Sequence, residues 1–517
     1  MSLRRGLRLA AVVGVALVLP GLPSALPVPA LPGSPPDCSS ASPPLRYVVL
    51  FDRAVPEPEA DREIRAACGT RAAYYQQIGV AVATSTEAGF AARFGPDRAY
   101  SAQAESLGAE TDLAAPSAVR RAPDQLTTVR HVPGTDRSAE QWNMALIRAP
   151  QARTVTAGSP DVVVGVLDSG IDPRHPDLAS AVDPERSAGC LSGRPDRRQS
   201  AWQPSTFTHG THVAGTIAAA DDGRGITGVA PGVRLASVKV VDDNGFIYPE
   251  YAVCGFMWAA AAHLRITNSS YFIDPWVLTC SNVPGQAVAH EAVRRAVQYA
   301  TAHGVLSIAA TGNEQMDLSD PRQDLRSPDN ADRPRARQVD DHCDLMPAEL
   351  PGVIAVSALG AQRVKAGYSS YGLGVVTVTA PGGDPDQRPR GSSSGCVLST
   401  IPGGYGYACG TSVATPHVSG VAALLASSWP DADPAALAAL LRLQAEPLPC
   451  PARPEHPGAP AADRSAGCTG ERVTSFTGYG LVDALAAVIS RPGAPARSGT
   501  LEGGVANRGT LAHGADR

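Results

Sequence analysis

The 517-residue chain is short of charge, of metal-spaced cysteines and of long apolar runs, and each shortage removes a class of function. Charged residues make up 18% and the formal net charge is only -5. That bias is too weak, on this length, for a nucleic-acid or membrane-surface partner. None of the ten cysteines forms a C-x-x-C pair, which argues against a zinc framework. After Leu19 no apolar run is long and uninterrupted enough to serve as a membrane anchor. The H-x-x-H from His209 to His212 has no acid between its histidines and lacks the spacing of a helical metal pair. EF-hand spacing and internal repeats are absent too. What is present is a globular composition, 44% hydrophobic, with 51 glycines and 46 prolines to make many stiff loops.

The first residues, "MSLRRGLR", are basic, and Leu9 to Leu19 form an apolar run too short for an ordinary membrane span. Together they read as an export signal, with small residues for cleavage at Val28 to Ala30 or Pro23 to Ala25. An even cysteine count in an exported chain predicts disulfides. Proximity pairs Cys38–Cys68, Cys254–Cys280 and Cys450–Cys468. The remaining four allow three connectivities, of which Cys396–Cys409 with Cys190–Cys343 is the expected one.

Beyond a Pro-rich stretch, "RYVVLFD" reads as a strand, "EPEADREIRAAC" as a helix, "IGVAVATS" as a strand and "EAGFAARF" as a short helix. This alternation predicts a small α/β unit ending near residue 95. Ser101 to Ser138 is polar, Ala-rich and weakly periodic, and reads as a linker. From "EQWNMALIRAPQA" onward, apolar runs such as "DVVVGVLD" and "GVIAVSAL" alternate with helical patterns such as "HEAVRRAVQYATAHG". Nearly continuous apolar strands between helices predict a parallel sheet covered on both faces, with sites at the carboxyl ends of its strands. Gly493 to Arg517 is Gly- and Ala-rich and reads as a disordered tail.

Three such strand-to-helix junctions carry reactive groups: Asp168 after "VVVGVL", His209 opening "HGTHVAGTIAAA", and Ser412 opening an apolar helix. Singly, each has a plain structural reading, as a cap or a packed residue. Jointly, an acid, a histidine and a serine at the ends of one sheet are the ingredients of nucleophilic acyl transfer.

The blocks "VGVLDSGID", "HGTHVAGTI" and "GTSVATPHVSG" occur in the order Asp, His, Ser, and residues 139 to 490 resemble the subtilisin-like serine proteases. The resemblance implies an α/β, three-layer fold with a mainly parallel sheet flanked by helices, preceded by a small α/β (ferredoxin-like) propeptide domain. It divides the chain into a signal peptide (1–30), propeptide domain and linker (31–138), catalytic domain (139–492) and tail (493–517). Ser412 is then the nucleophile, His209 the general base and Asp168 its partner. "AATGNE" places Asn313 at the oxyanion hole. Ser270, Tyr271 and Phe272 form one wall of the substrate pocket and Ala309, Ala310, Thr311 and Gly312 the other, with Glu314 near the rim. The family usually has glycine where Phe272 stands, which implies a narrowed pocket.

The expected molecule is a secreted, monomeric serine endopeptidase that cuts proteins or peptides. Its own propeptide acts as folding aid and inhibitor, removed by cleavage between Ser101 and Ser138. No cofactor is required for the chemistry. Structural calcium is expected in the long loops, as in relatives, with no ligands assigned. The rivals are a non-catalytic binding protein on the same fold and a processing protease with one dedicated substrate. Two further signals are set aside. "GSSSG" fits a nucleophile motif around Ser393 but lacks the strand before and the helix after. Cys409 and His417, close to Ser412 in sequence, read as a disulfide partner and a structural histidine.

Overall fold

A computed structural model describes Cys38 and residues 43–87, 89–108, 127–129, 135–331, 333–390, 392, 394–451 and 467–489. The expected signal peptide, the tail from residue 493 and Ser393 lie outside the described residues.

The N-terminal part comprises β1 (Leu45–Leu50), α1 (Glu57–Ala66), β2 (Thr70–Tyr75), β3 (Val80–Ser85), α2 (Phe90–Phe94) and β4 (Ala99–Tyr100). The strands pair antiparallel in the order β2-β3-β1-β4, a ferredoxin-like arrangement. Alternation builds two faces. Tyr47, Val49 and Phe51 pack inward with Ile64, Phe90 and Phe94. Val48, Val80 and Tyr100 point the other way, into the main core. The expected linker is not all irregular. It contains α3 (Ala102–Gly108) and β5 (Thr127–Val129).

The larger part contains β6 (Val163–Asp168), β7 (Ala188–Gly189), α4 (His209–Ala218), β8 (Arg234–Lys239), α5 (Pro249–Ala261), β9 (Ile266–Ser269), α6 (Gln286–Ala302), β10 (Leu306–Ala310), β11 (Ile354–Leu359) and β12 (Val378–Pro381). A hairpin, β13 (Val397–Ile401) and β14 (Gly404–Ala408), then leads into α7 (Thr411–Ser428). The sheet order is β12-β11-β10-β9-β6-β8-β7, with each pair parallel. Every residue of β6 is buried, because helices cover both faces. Val163 and Leu167 pack with α5 and α6, and Val164 and Val166 with α4 and α7. The chain leaves β6 toward β8 on one side and later returns to β9 on the other. That switch opens a crevice at the carboxyl ends of β6 and β9. β5 pairs antiparallel with β14 and extends the hairpin to a separate three-stranded sheet.

The N-terminal part docks through its second face on α5 and α6. Arg295 Nη1 donates to Phe51 O and Ile78 O at 3.0 Å. Trp276 Nε1 donates to Tyr100 Oη at 2.8 Å, and Arg46 Nη1 to Tyr251 Oη at 2.9 Å. Beside Tyr251 lies Glu250, only 1% exposed. Its Oε1 has no hydrogen-bond partner among the described residues. Burial pushes its pKa up to about 7, against the pull of Arg46, and Asp242 adds to the rise. A carboxyl raised above its ordinary 4.5 contributes stability that is full below about 4.5 and is lost as pH rises through about 7. Glu349, raised to about 8 by burial, acts in the same sense at higher pH. The melting temperature of the full chain is therefore expected to fall between pH 5 and pH 8. Glu250→Gln should remove part of that slope, on the order of 1–3 kcal/mol. An unchanged slope in calorimetry of the variant would count against this assignment.

Five disulfides join all ten cysteines. Cys38–Cys68, Cys396–Cys409 and Cys450–Cys468 are as expected. The other two exchange partners relative to expectation: Cys190 joins Cys254, and Cys280 joins Cys343. Proximity in sequence misled because crossovers carry neighbours apart. Cys254 sits within α5, whose Trp258 Nε1 reaches Arg186 O just before β7, and Cys190 directly follows β7. Cys280 and Cys343 oppose each other across a short antiparallel bridge.

Candidate active site

Asp168 ends β6, His209 opens α4, and Ser412 is the second residue of α7. Asp168 is buried and accepts from His209 Nδ1 at 2.9 Å on Oδ2 and 3.1 Å on Oδ1. Ser169 N also donates to its Oδ1, at 2.7 Å. Close approach of α4 to the β6 loop makes this pairing. A Cβ on Gly210 would sit 2.6 Å from Gly170 O and 3.1 Å from Asp168 Cβ, so only glycine fits. The imidazole side chain is 17% exposed. It shares one cavity of about 340 Å³ with Asp168, Ser412 and Asn313.

Asn313 follows β10 and is fixed by α7. Its Oδ1 accepts from Thr411 N at 2.9 Å and Thr411 Oγ1 at 3.0 Å. The amide orientation is thereby set, and Nδ2 is its donor toward the cavity. A Cβ on Gly410 would lie 2.8 Å from Ser412 Oγ and 3.6 Å from Asn313 Nδ2. Glycine at 410 keeps the space between those two groups open. The first N–H groups of α7, Ser412 N among them, have no partner within the helix.

A polar relay that sequence reasoning missed ties β9 to α7. Ser419 Oγ donates to Asn268 Oδ1, Asn268 Nδ2 to Ser270 Oγ, and Ser270 Oγ to Ser412 O, each at 2.8 Å. Asn268 is fully buried. A polar residue inside an apolar strand was the available signal, since burying an amide demands partners.

Of the expected pocket residues, Ser270, Tyr271, Phe272, Ala310 and Gly312 line the cavity. Ala309 and Thr311 do not: Ala309 is in the core, and Thr311 Oγ1 turns away to Val356 O and Ser370 O. Alternation along the extended chain sends these two to the other side. Phe207, Val241 and Ile247 add an apolar side that sequence reasoning missed. It missed Arg326 too, which reaches the cavity from the 315–344 insert. That charged, Pro-bearing segment is exposed over much of its length, but Asp324 within it is 1% exposed and pairs with Arg337 at 2.8 Å.

The other two histidines of the motifs are internal struts. His417 Nδ1 donates to Val413 O at 3.0 Å, and Asn143 Nδ2 donates to its Nε2 at 2.8 Å. Burial lowers its pKa to about 4. His212 Nε2 is 3.2 Å from both Val397 O and Gly406 O, and burial, helped by His209, lowers its pKa to about 3. Cys409 lines the cavity as a disulfide partner of Cys396. For calcium, the acidic cluster found among the described residues is Asp340, Asp341 and His342. Two carboxylates and an imidazole, all exposed, do not fit an oxygen-only cage.

A parallel sheet with an acid–histidine pair and a helix-borne serine at its strand ends has the layout of an α/β nucleophilic hydrolase. The family model described as "Subtilase family" matches residues 159–480. Fervidolysin of Fervidobacterium pennivorans is 32% identical over 353 residues, covering 62% of this chain and 44% of fervidolysin. Subtilisin NAT of Bacillus subtilis subsp. natto is 32% identical over 290 residues, covering 56% of this chain and 61% of that one. The epidermin leader peptide processing serine protease of Staphylococcus aureus shares the fold, with a TM-score of 0.58 at 18% identity over 86% of this chain and 98% of its own. The chain belongs to the subtilase family. It spans about half the length of the curated relatives it matches.

Proposed function

We propose that this protein is a secreted serine endopeptidase made as a self-processed zymogen. The observation that carries the reading is the Asp168–His209 hydrogen bond on the cavity that Ser412 and Asn313 also line. Ser412 Oγ attacks the peptide carbonyl carbon, and its proton passes to His209 Nε2. Asp168 holds Nδ1–H and stabilises the imidazolium. The oxygen that becomes negative is held by Asn313 Nδ2–H and Ser412 N–H. Collapse expels the amine with the proton from His209. Water, deprotonated by the same imidazole, then releases the acyl group.

The N-terminal part serves as the inhibitor. What supports this is its docking on α5 and α6, and the seat of α3: Asn330 Nδ2 donates to Ala102 O at 2.9 Å and to Tyr248 Oη at 3.3 Å. Ile247, next to Tyr248, lines the cavity. Cleavage between Ser101 and Ser138 would free the site, leaving a monomeric enzyme.

The test is treatment of the matured protein with a serine-directed fluorophosphonate, followed by peptide mass mapping. One adduct, on Ser412, is expected. Absence of an adduct there, with the fold intact, would favour a non-catalytic binding protein.

A further inference from the structure

The cavity lining includes an ion pair, Glu314 with Arg326, whose cation comes from outside the family's motif blocks. Glu314 follows Asn313 directly, and its side chain is 9% exposed. Both carboxylate oxygens are engaged: Asn313 N donates to Oε2 at 2.7 Å and Arg326 Nη1 to Oε1 at 2.6 Å. Arg326 itself is 54% exposed and lines the cavity. The nearby Asp324 is already matched by Arg337. The acid is therefore covered and neutralised, and the group presented here to the cavity is a guanidinium with further N–H donors.

Phe272, Gly312, Glu314 and Arg326 line the cavity that Ser412 and Asn313 also line, and a Cβ on Gly312 would sit 2.6 Å from Glu314 Oε2. A substrate side chain that enters between Phe272 and Gly312 would therefore meet the Glu314–Arg326 pair. Resting on the reading of Ser412 as nucleophile, we infer that Arg326 is a specificity-determining residue that favours substrates with a carboxylate side chain before the scissile bond. An arginine fork pairs with a carboxylate through charge-assisted hydrogen bonds and repels a lysine or arginine. Phe272 stands on the same cavity, where a ring in place of a smaller residue suits glutamate or aspartate better than a large aromatic.

The experiment compares kcat/KM for matched peptides carrying Glu, Ala, Lys or Phe at that position, in the parent, Arg326→Gln and Arg326→Lys. The parent is expected to cut the Glu peptide at least tenfold better than the Lys peptide. Arg326→Gln should reduce the Glu-to-Lys ratio by tenfold or more, because Glu314 is then left as an uncovered acid. Arg326→Lys, which keeps the charge, should retain most of the preference. A parent that favours Lys or Phe over Glu, or the same ratio in Arg326→Gln, overturns this inference alone. A parent that cuts no peptide and takes no phosphonate on Ser412 overturns the reading of the site, and the inference falls with it.

Discussion

Replacing Ser412 by alanine is expected to lower kcat for any peptide by on the order of 10⁶, the scale that holds for loss of the nucleophile in a subtilisin. The variant should also keep its N-terminal part attached. The reason lies in how little else the hydroxyl does. Ser412 Oγ enters no hydrogen bond among the described residues, whereas the backbone oxygen of the same residue accepts from Ser270 Oγ at 2.8 Å. Alanine preserves that backbone contact, the Asp168–His209 pair and the disulfide at Cys409. The melting temperature should therefore stay close to that of the full-length parent. Expression beside the parent in a protease-deficient secreting host, with intact-mass analysis of both, separates the possibilities. A parent that shortens while the variant stays full length supports self-processing. A variant that matures at the parent's rate, with no other protease present, removes Ser412 from that step.

How far the sequence reveals this molecule depends on the range over which each feature is encoded. β6 was legible because its first five residues, buried on both faces, carry no polar side chain, and Asp168 stands out as the sixth. The hallmark blocks were legible because an acid, a histidine and a serine at three strand-to-helix turns of one sheet have one chemistry in common. The short strands β2 and β4 were not legible. β2 has mostly half-buried positions, and β4 is two residues long, held by β1 rather than by its own pattern. The two mistaken disulfides failed for a related reason. Cys190 and Cys254 meet only because α5 packs over the β7 end of the sheet, a contact between elements that no local pattern records. Arg326 was hidden in the same way. Within a charged, Pro-bearing insert it reads as one more solvated charge, and only the folded insert turns it toward Glu314. Asn268 and Ser419 stood in plain view in the sequence, but their roles emerge only with their partners in place.

Asn313→Leu is expected to lower kcat by about 10²–10³ with KM little changed, the scale that holds for oxyanion donors in subtilisins. The physical basis is that Nδ2–H meets charge that exists in the transition state and not in the bound substrate. Leucine alone does not isolate this effect, because Asn313 Oδ1 also accepts from Thr411 N and Thr411 Oγ1. Losing that acceptor could shift the start of α7, and Ser412 with it. Asn313→Asp resolves the two roles. An aspartate keeps an oxygen for both Thr411 donors but puts a second carboxylate oxygen where the amide donor stood. If Asn313 stabilises the oxyanion, the aspartate variant should lose at least as much kcat as the leucine variant, since a negative group now faces the developing negative charge. If Asn313 only positions the helix, aspartate should retain near-parental kcat while leucine fails. Steady-state kinetics on one peptide, with phosphonate labelling to count competent sites, reads the difference.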